Sequence, residues 1–165
     1  MCQLDAVESH GVNSEQRPFS DREHTAWRAF YELQEVLRGR IEQHLQADSG
    51  LSHADYTVLA VLSEADGHRL RAIELGERLG WEKSRLHHQL TRMCKRGLVR
   101  RSSGEGRAVN VTITAAGLSA LGTAVPFHRQ HVRQLVLDRI SPDQLDQLGA
   151  ISRTLLDGLQ RSGGS

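Results

Sequence analysis

The sequence predicts a mainly α-helical protein with one small β-hairpin, and three observations predict it. Apolar residues recur at three- and four-residue steps through most of the 165 residues. Only two short runs are rich in β-branched residues, Leu98–Arg101 and Ala108–Ile113, and a Gly-containing turn joins them. Between Lys83 and Arg107 eight Lys or Arg residues stand against one acid, Glu105, a formal charge of +7 in a chain whose net charge is +1. The remainder therefore carries −6, and one strongly basic segment in an otherwise acidic chain is the footprint of a surface that meets a polyanion.

Composition sets the outer bounds. A hydrophobic fraction of 38% with only 4% aromatic residues supplies a modest core, which small helical chains often complete by pairing with a second copy. Cys2 and Cys94 lie far apart and form no metal-type pair, so a reducing compartment is expected and a structural disulfide is not. No apolar run approaches the roughly 18 residues that span a bilayer, and the first twenty residues lack the basic start and apolar core of a signal peptide. A cytoplasmic protein without membrane contact is expected.

Residues 1–20 are polar and aperiodic and read as a mobile tail. Ser20 or Asp21 then caps a long helix, with Glu23 in its first turn and Trp27, Phe30, Tyr31, Leu33, Leu37, Ile41 and Leu45 along one stripe, ending near Gly50. Ser52 and Asp55 make an S-x-x-D capping pattern for a second helix that buries Tyr56, Leu59 and Leu62 and stops at Gly67. A short helix from Leu70 to Leu79 follows and turns at Gly80. The helix beginning near Glu82 places Leu86, Leu90 and Met93 on one face and Arg85, His88, Gln89 and Arg92 on others, and Gly97 ends it. After the hairpin, Thr114 caps a helix that Gly117 and Gly122 weaken and Pro126 bends, running through Val136 and Ile140. Pro142 starts the last helix, with Leu145, Leu148, Ile151, Leu155, Leu156 and Leu159 as its stripe.

A short helix, a Gly turn and a second helix with basic outer residues make a helix-turn-helix, and the hairpin adds a wing. The major groove admits one α-helix, which must bury one stripe in its own domain and turn another to the bases. The outward set here is Lys83, Ser84, Arg85, His87, His88 and Arg92, with Arg85 the candidate for a bidentate guanine contact. Arg107 on the Gly-flanked tip suits a minor groove. Of the neighbours Arg100 and Arg101, one can face phosphate, and Arg101 is assigned to the DNA-binding set.

The run Ser84 to Arg101, S-R-L-x(3)-L-x-R-M-x-K-R-G-L-V-R-R, followed by G-R-x-V-x-V-x-I-T-x-x-G from Gly106 to Gly117, resembles the MarR family of winged helix-turn-helix regulators over about residues 21–160. The resemblance implies a homodimer in which residues 21–50 and 115–160 supply dimerisation helices and residues 51–114 form the DNA-binding lobe. It implies double-stranded DNA with a pseudo-palindromic operator as partner, and repression relieved by a small, often aromatic and anionic effector. One departure concerns the wing, where the family's Asp-Arg tip is Glu105-Gly106-Arg107 and the acid is displaced by one residue.

Other candidates are weighed against plainer roles. Trp27 and Tyr31, with Arg28 about 100° round the helix, form a candidate effector lining, although aromatic residues at helical spacing also make ordinary core. Cys94 lies beside Lys95 and Arg96, where cations favour thiolate, but a passive role is preferred: peroxide-sensing relatives carry their cysteine near the start of the first long helix, where this chain has none. His128 and His131, at i and i+3, have the spacing of a metal pair without a third ligand nearby in sequence, so no metal or other cofactor is assigned. His87 and His88 face different sides and are poor joint ligands. No catalytic fingerprint is present, and Asp143 and Asp146 at a helix start are explained by the helix dipole. The alternatives to a ligand-controlled DNA-binding regulator are a winged-helix module that binds a protein, and a metal- or redox-sensing regulator.

Overall fold

The computed structural model describes residues 17–104 and 108–162. Most of the expected tail, residues 1–16, lies outside the described residues, as do Glu105, Gly106 and Arg107 at the wing tip. The chain divides into two compact units, Met1–Val36 and Leu37–Ser165. Helix α1 (Asp21–Ser49) contributes to both.

In the first unit, Ser20 is the cap. Its backbone N–H and its hydroxyl donate to the Glu23 carboxylate at 2.8 and 2.7 Å, and these bonds, the hydroxyl's foremost, hold the Glu23 carboxyl below its ordinary pKa. Trp27 contacts Phe30 and Tyr31 with ring centroids 6.0 and 6.4 Å apart.

The second unit holds the core. Helix α2 (His53–Ser63) starts with the full capping box expected of Ser52 and Asp55. A 3₁₀ turn, Asp66–His68, leads to strand β1 (Arg69–Arg71) and then to helices α3 (Ala72–Leu79) and α4 (Lys83–Lys95). Strands β2 (Val99–Ser103) and β3 (Val109–Ile113) form the hairpin, and α5 (Ala115–Leu135), a 3₁₀ turn Leu137–Arg139 and α6 (Pro142–Ser162) complete the order. The core joins Leu59, Leu62, Leu75, Leu90, Met93 and Val111 with neighbours from every strand and α-helix from α2 to α5 and with Leu45 of α1. Among the described residues, no helix is long and apolar enough to cross a membrane.

Four details differ from expectation. The sheet has three antiparallel strands in the order β1-β3-β2, because Arg69–Arg71 pairs with β3 instead of opening a helix. In α2 the fully buried face is Val58, Leu59 and Leu62, while Tyr56 is only partly buried. Helix α5 contains Pro126 but ends at Leu135, where Val136 leaves helical geometry and Arg139 Nε donates to the Gln134 carbonyl at 2.9 Å, satisfying an acceptor at the helix end. Gly117 is a packing requirement, not a weakness: a Cβ there would stand 2.1 Å from the Leu98 carbonyl oxygen. That close approach seats α5 on the turn where Thr114 Oγ1 donates to the Gly97 carbonyl at 2.6 Å.

Candidate nucleic-acid interface

Helix α4 is amphipathic in a way that fixes which side it shows. Leu86, Leu90 and Met93 are 5%, 2% and 0% exposed, as their spacing predicts. Lys83, Ser84, Arg85, His87, His88 and Arg92 lie on the exposed side. The first turn has no acid. Cations there oppose the helix dipole by roughly 0.3–1 kcal/mol each, so Lys83 and Arg85 are placed against local helix stability, at the end that attracts phosphate.

Gly80 makes the turn that aims this helix. It adopts a left-handed φ of 61°, and its N–H and that of Trp81 return to carbonyls of α3. Trp81 then lies beneath Arg85, whose guanidinium carbon is 4.3 Å from the ring centroid. This cation–π contact favours one position of the Arg85 fork by about 0.5–1 kcal/mol. Sequence reasoning singled out Arg85 but missed Trp81, whose signal was an aromatic four residues upstream, one helical turn away.

A buried polar network anchors the inner side of α4. Gln89, expected on an outer face, is only 3% exposed, and its Nε2 donates to Asp55 Oδ1 at 2.7 Å. Asp55 is 2% exposed and also accepts from Arg96 Nη1 at 2.6 Å, while Arg96 Nη2 donates to the Gly50 carbonyl at 2.8 Å. Arg92 donates to Gln89 Oε1 and so grips the same network from outside. Asp55 thus caps α2 and holds both ends of the second half of α4, satisfying charges that would be costly if buried alone.

Strand register decides between Arg100 and Arg101. Arg101 stands opposite Val111, itself opposite Leu70, on the core side of the sheet. Its guanidinium donates to the His87 carbonyl at 2.9 Å and the Thr91 hydroxyl at 3.2 Å, fastening the wing to α4. Arg100, opposite Thr112, itself opposite Arg69, is exposed on the other face. The basic window therefore divides into struts (Arg96 and Arg101), exposed cations (Lys83, Arg85, Lys95 and Arg100) and Arg92, which is exposed but also donates to Gln89. Arg107 lies outside the described residues.

The remaining candidates fall elsewhere. Trp27 and Tyr31 are 53% and 57% exposed and Arg28 is exposed, so the aromatic pair is not core within its own unit. Cys94 is partly buried against the core. His128 and His131 line one cleft but make different contacts. His128 packs on Tyr56 in a tilted contact with centroids 4.5 Å apart, its Nδ1 buried without a partner; burial, then the neighbouring His53 and His131, pushes its pKa below the ordinary value. His131 instead meets His44 and Asp48, two residues that sequence reasoning did not single out.

A profile described as MarR family matches residues 49–108. The chain is 35% identical to Sco3205, a MarR family transcriptional regulator from Streptomyces coelicolor solved in complex with DNA, with a TM-score of 0.86 over 90% of this chain and 94% of that one. It is 34% identical to AbsC, a MarR family transcriptional regulator from the same organism, with a TM-score of 0.83 over 88% of this chain and 99% of that one. It is also 26% identical over 108 residues to the HTH-type transcriptional repressor YetL of Bacillus subtilis (strain 168), a match spanning 64% of each protein.

Proposed function

The chain belongs to the MarR family of transcriptional regulators, and on that premise we propose that it is a cytoplasmic homodimeric repressor that binds a pseudo-palindromic operator in duplex DNA. The observation that carries the reading is the exposed face of α4, with Lys83, Ser84, Arg85, His87, His88 and Arg92 set over a stripe held inside the chain. Each α4 enters a major groove, with half-sites about one helical turn apart. Arg85 reads a guanine edge, Lys83 and Ser84 meet phosphate, Arg101 braces the wing and Arg107 probes the flanking minor groove.

Residues 51–114 form the DNA-binding lobe, and residues 21–50 and 115–160 supply the dimerisation helices. Support for the dimer comes from α6, whose Leu145, Leu148, Ile151, Leu155, Leu156 and Leu159 are all at least 42% exposed. An apolar row of that length on a surface marks an interaction site. A small aromatic anion is the proposed effector, with Trp27, Arg28 and Tyr31 as its contacts. It acts by changing the spacing of the two lobes, and shifts that equilibrium only by its differential affinity for the two spacings.

The test is a fluorescence-anisotropy titration of the full chain against duplexes from the promoter beside its own gene and against scrambled duplexes, repeated over a salt series. Affinity should fall with a log–log slope of about −0.9 for each phosphate neutralised. The specific duplex should bind on the order of 10³-fold or more tightly than the scrambled one. A slope near zero would replace this reading with that of a protein-binding winged-helix module.

A further inference from the structure

We infer that His44, Asp48 and His131 form a binding site for a first-row divalent cation, Zn²⁺ being the natural probe, that ties α1 to α5. His44 and Asp48 are one turn apart on α1 and so share a face. His131 reaches them from α5. One ligand atom from each of the three lies within 4.8 Å of the others, and His131 Nε2 is 2.8 Å from Asp48 Oδ2. All three line a narrow cleft that His128 also lines and that Leu45, Ala124 and Phe127 wall. His131 and Asp48 keep 18% and 29% of their side-chain surface, enough for an ion to enter from solvent.

The chemistry of the set is specific. Two imidazoles and one carboxylate, without thiolate, suit Zn²⁺ and its divalent first-row neighbours, and are a poor match for Ca²⁺ or Mg²⁺, which prefer oxygen. Three protein ligands leave a fourth position on a tetrahedral ion for water or an anionic ligand. The rings of His44 and His131 are stacked, 3.7 Å between centroids and 11° between planes. Imidazole lone pairs lie in the ring plane, so stacked rings point in parallel. Binding turns the rings about their soft χ2 torsions until the lone pairs converge, replacing the stack and the His131–Asp48 contact by metal bonds of about 2.0–2.2 Å. The apolar wall keeps competing water to one side. This site is independent of DNA binding, and it differs from the i, i+3 pairing of His128 with His131 that spacing alone suggested.

The experiment uses the full chain stripped by chelation and titrated with Zn²⁺ in competition with a chromogenic indicator, with Co²⁺ as a spectroscopic substitute. One ion per chain should bind, Co²⁺ should give the visible bands of a four-coordinate site, and Zn²⁺ should raise Tm. His44→Ala and His131→Ala should each weaken binding by about 100-fold or more, since second-shell losses already cost 10–100-fold. Asp48→Asn, which keeps the side-chain shape, should remove the Co²⁺ bands and keeps the proposal testable where a histidine variant does not fold. His24→Ala, an exposed histidine outside the cleft, should bind as wild type. Failure of the wild-type chain to retain Zn²⁺, or undiminished binding in His44→Ala, would overturn the proposal, as would loss on His128→Ala with retention on His44→Ala.

Discussion

Helices α4 and α6 carry the same kind of apolar stripe and meet opposite fates. In α4, Leu86, Leu90 and Met93 are no more than 5% exposed. In α6, a longer leucine row leaves Ile151 at 59% and Leu159 at 70% exposed. Periodicity tells a helix which face to bury, but not against what. The stripe of α4 is met by α3 and the sheet, elements of its own chain, and its back is held by Asp55. Among the described residues the α6 row stays exposed, which is the condition expected of a helix whose partner is a second copy. On the proposed reading the two helices separate the work of a regulator, one presenting a fixed surface to DNA and the other completing its core only in the assembly.

The strongest way to break this contrast is at α6. Replacing Leu148 and Leu155 together by Asp should abolish dimerisation while leaving the helical content of the lobe intact, as read by light scattering and circular dichroism. Each buried leucine contributes about 1.5–3 kcal/mol, and twofold symmetry applies the loss twice. Unchanged association would show that the row serves another purpose. At α4 the equivalent insult is smaller and internal. Asp55→Ala removes a box member of α2 and strands Gln89 and Arg96. A broken buried pair costs about 3–5 kcal/mol, and Arg96 is 45% exposed, so roughly 2–3 kcal/mol of lost stability by denaturant unfolding is expected, with dimer affinity little changed. Arg85→Ala touches neither core nor pairing. It should leave Tm unaltered and cost about 1–3 kcal/mol on the specific duplex. An equal loss on scrambled DNA would move Arg85 from base reading to phosphate contact.

Much of the fold was legible because its signals are local. The capping box at Ser52 and Asp55, the Leu86/Leu90/Met93 stripe, the hairpin and the Pro142 start are all written within a few residues of where they act. What was misread depends on distant partners. Three residues, Arg69–Arg71, become a strand only because β3, some forty positions later, offers an open edge. Gln89 is a surface residue by composition and a buried one by virtue of Asp55. Arg101 counted as one more cation until register turned it onto α4.

The sequence by itself determined the order of the helices and the hairpin, the family and the basic segment, because periodicity, caps and charge are properties of short stretches. Tertiary structure decided which of those cations are struts and which stay exposed. It likewise decided that His131 meets His44 and Asp48. The reason is the same in both cases. A side chain's neighbours across the fold are fixed by strand register and helix packing, which bring together residues up to 87 positions apart, from His44 to His131, that no local pattern connects.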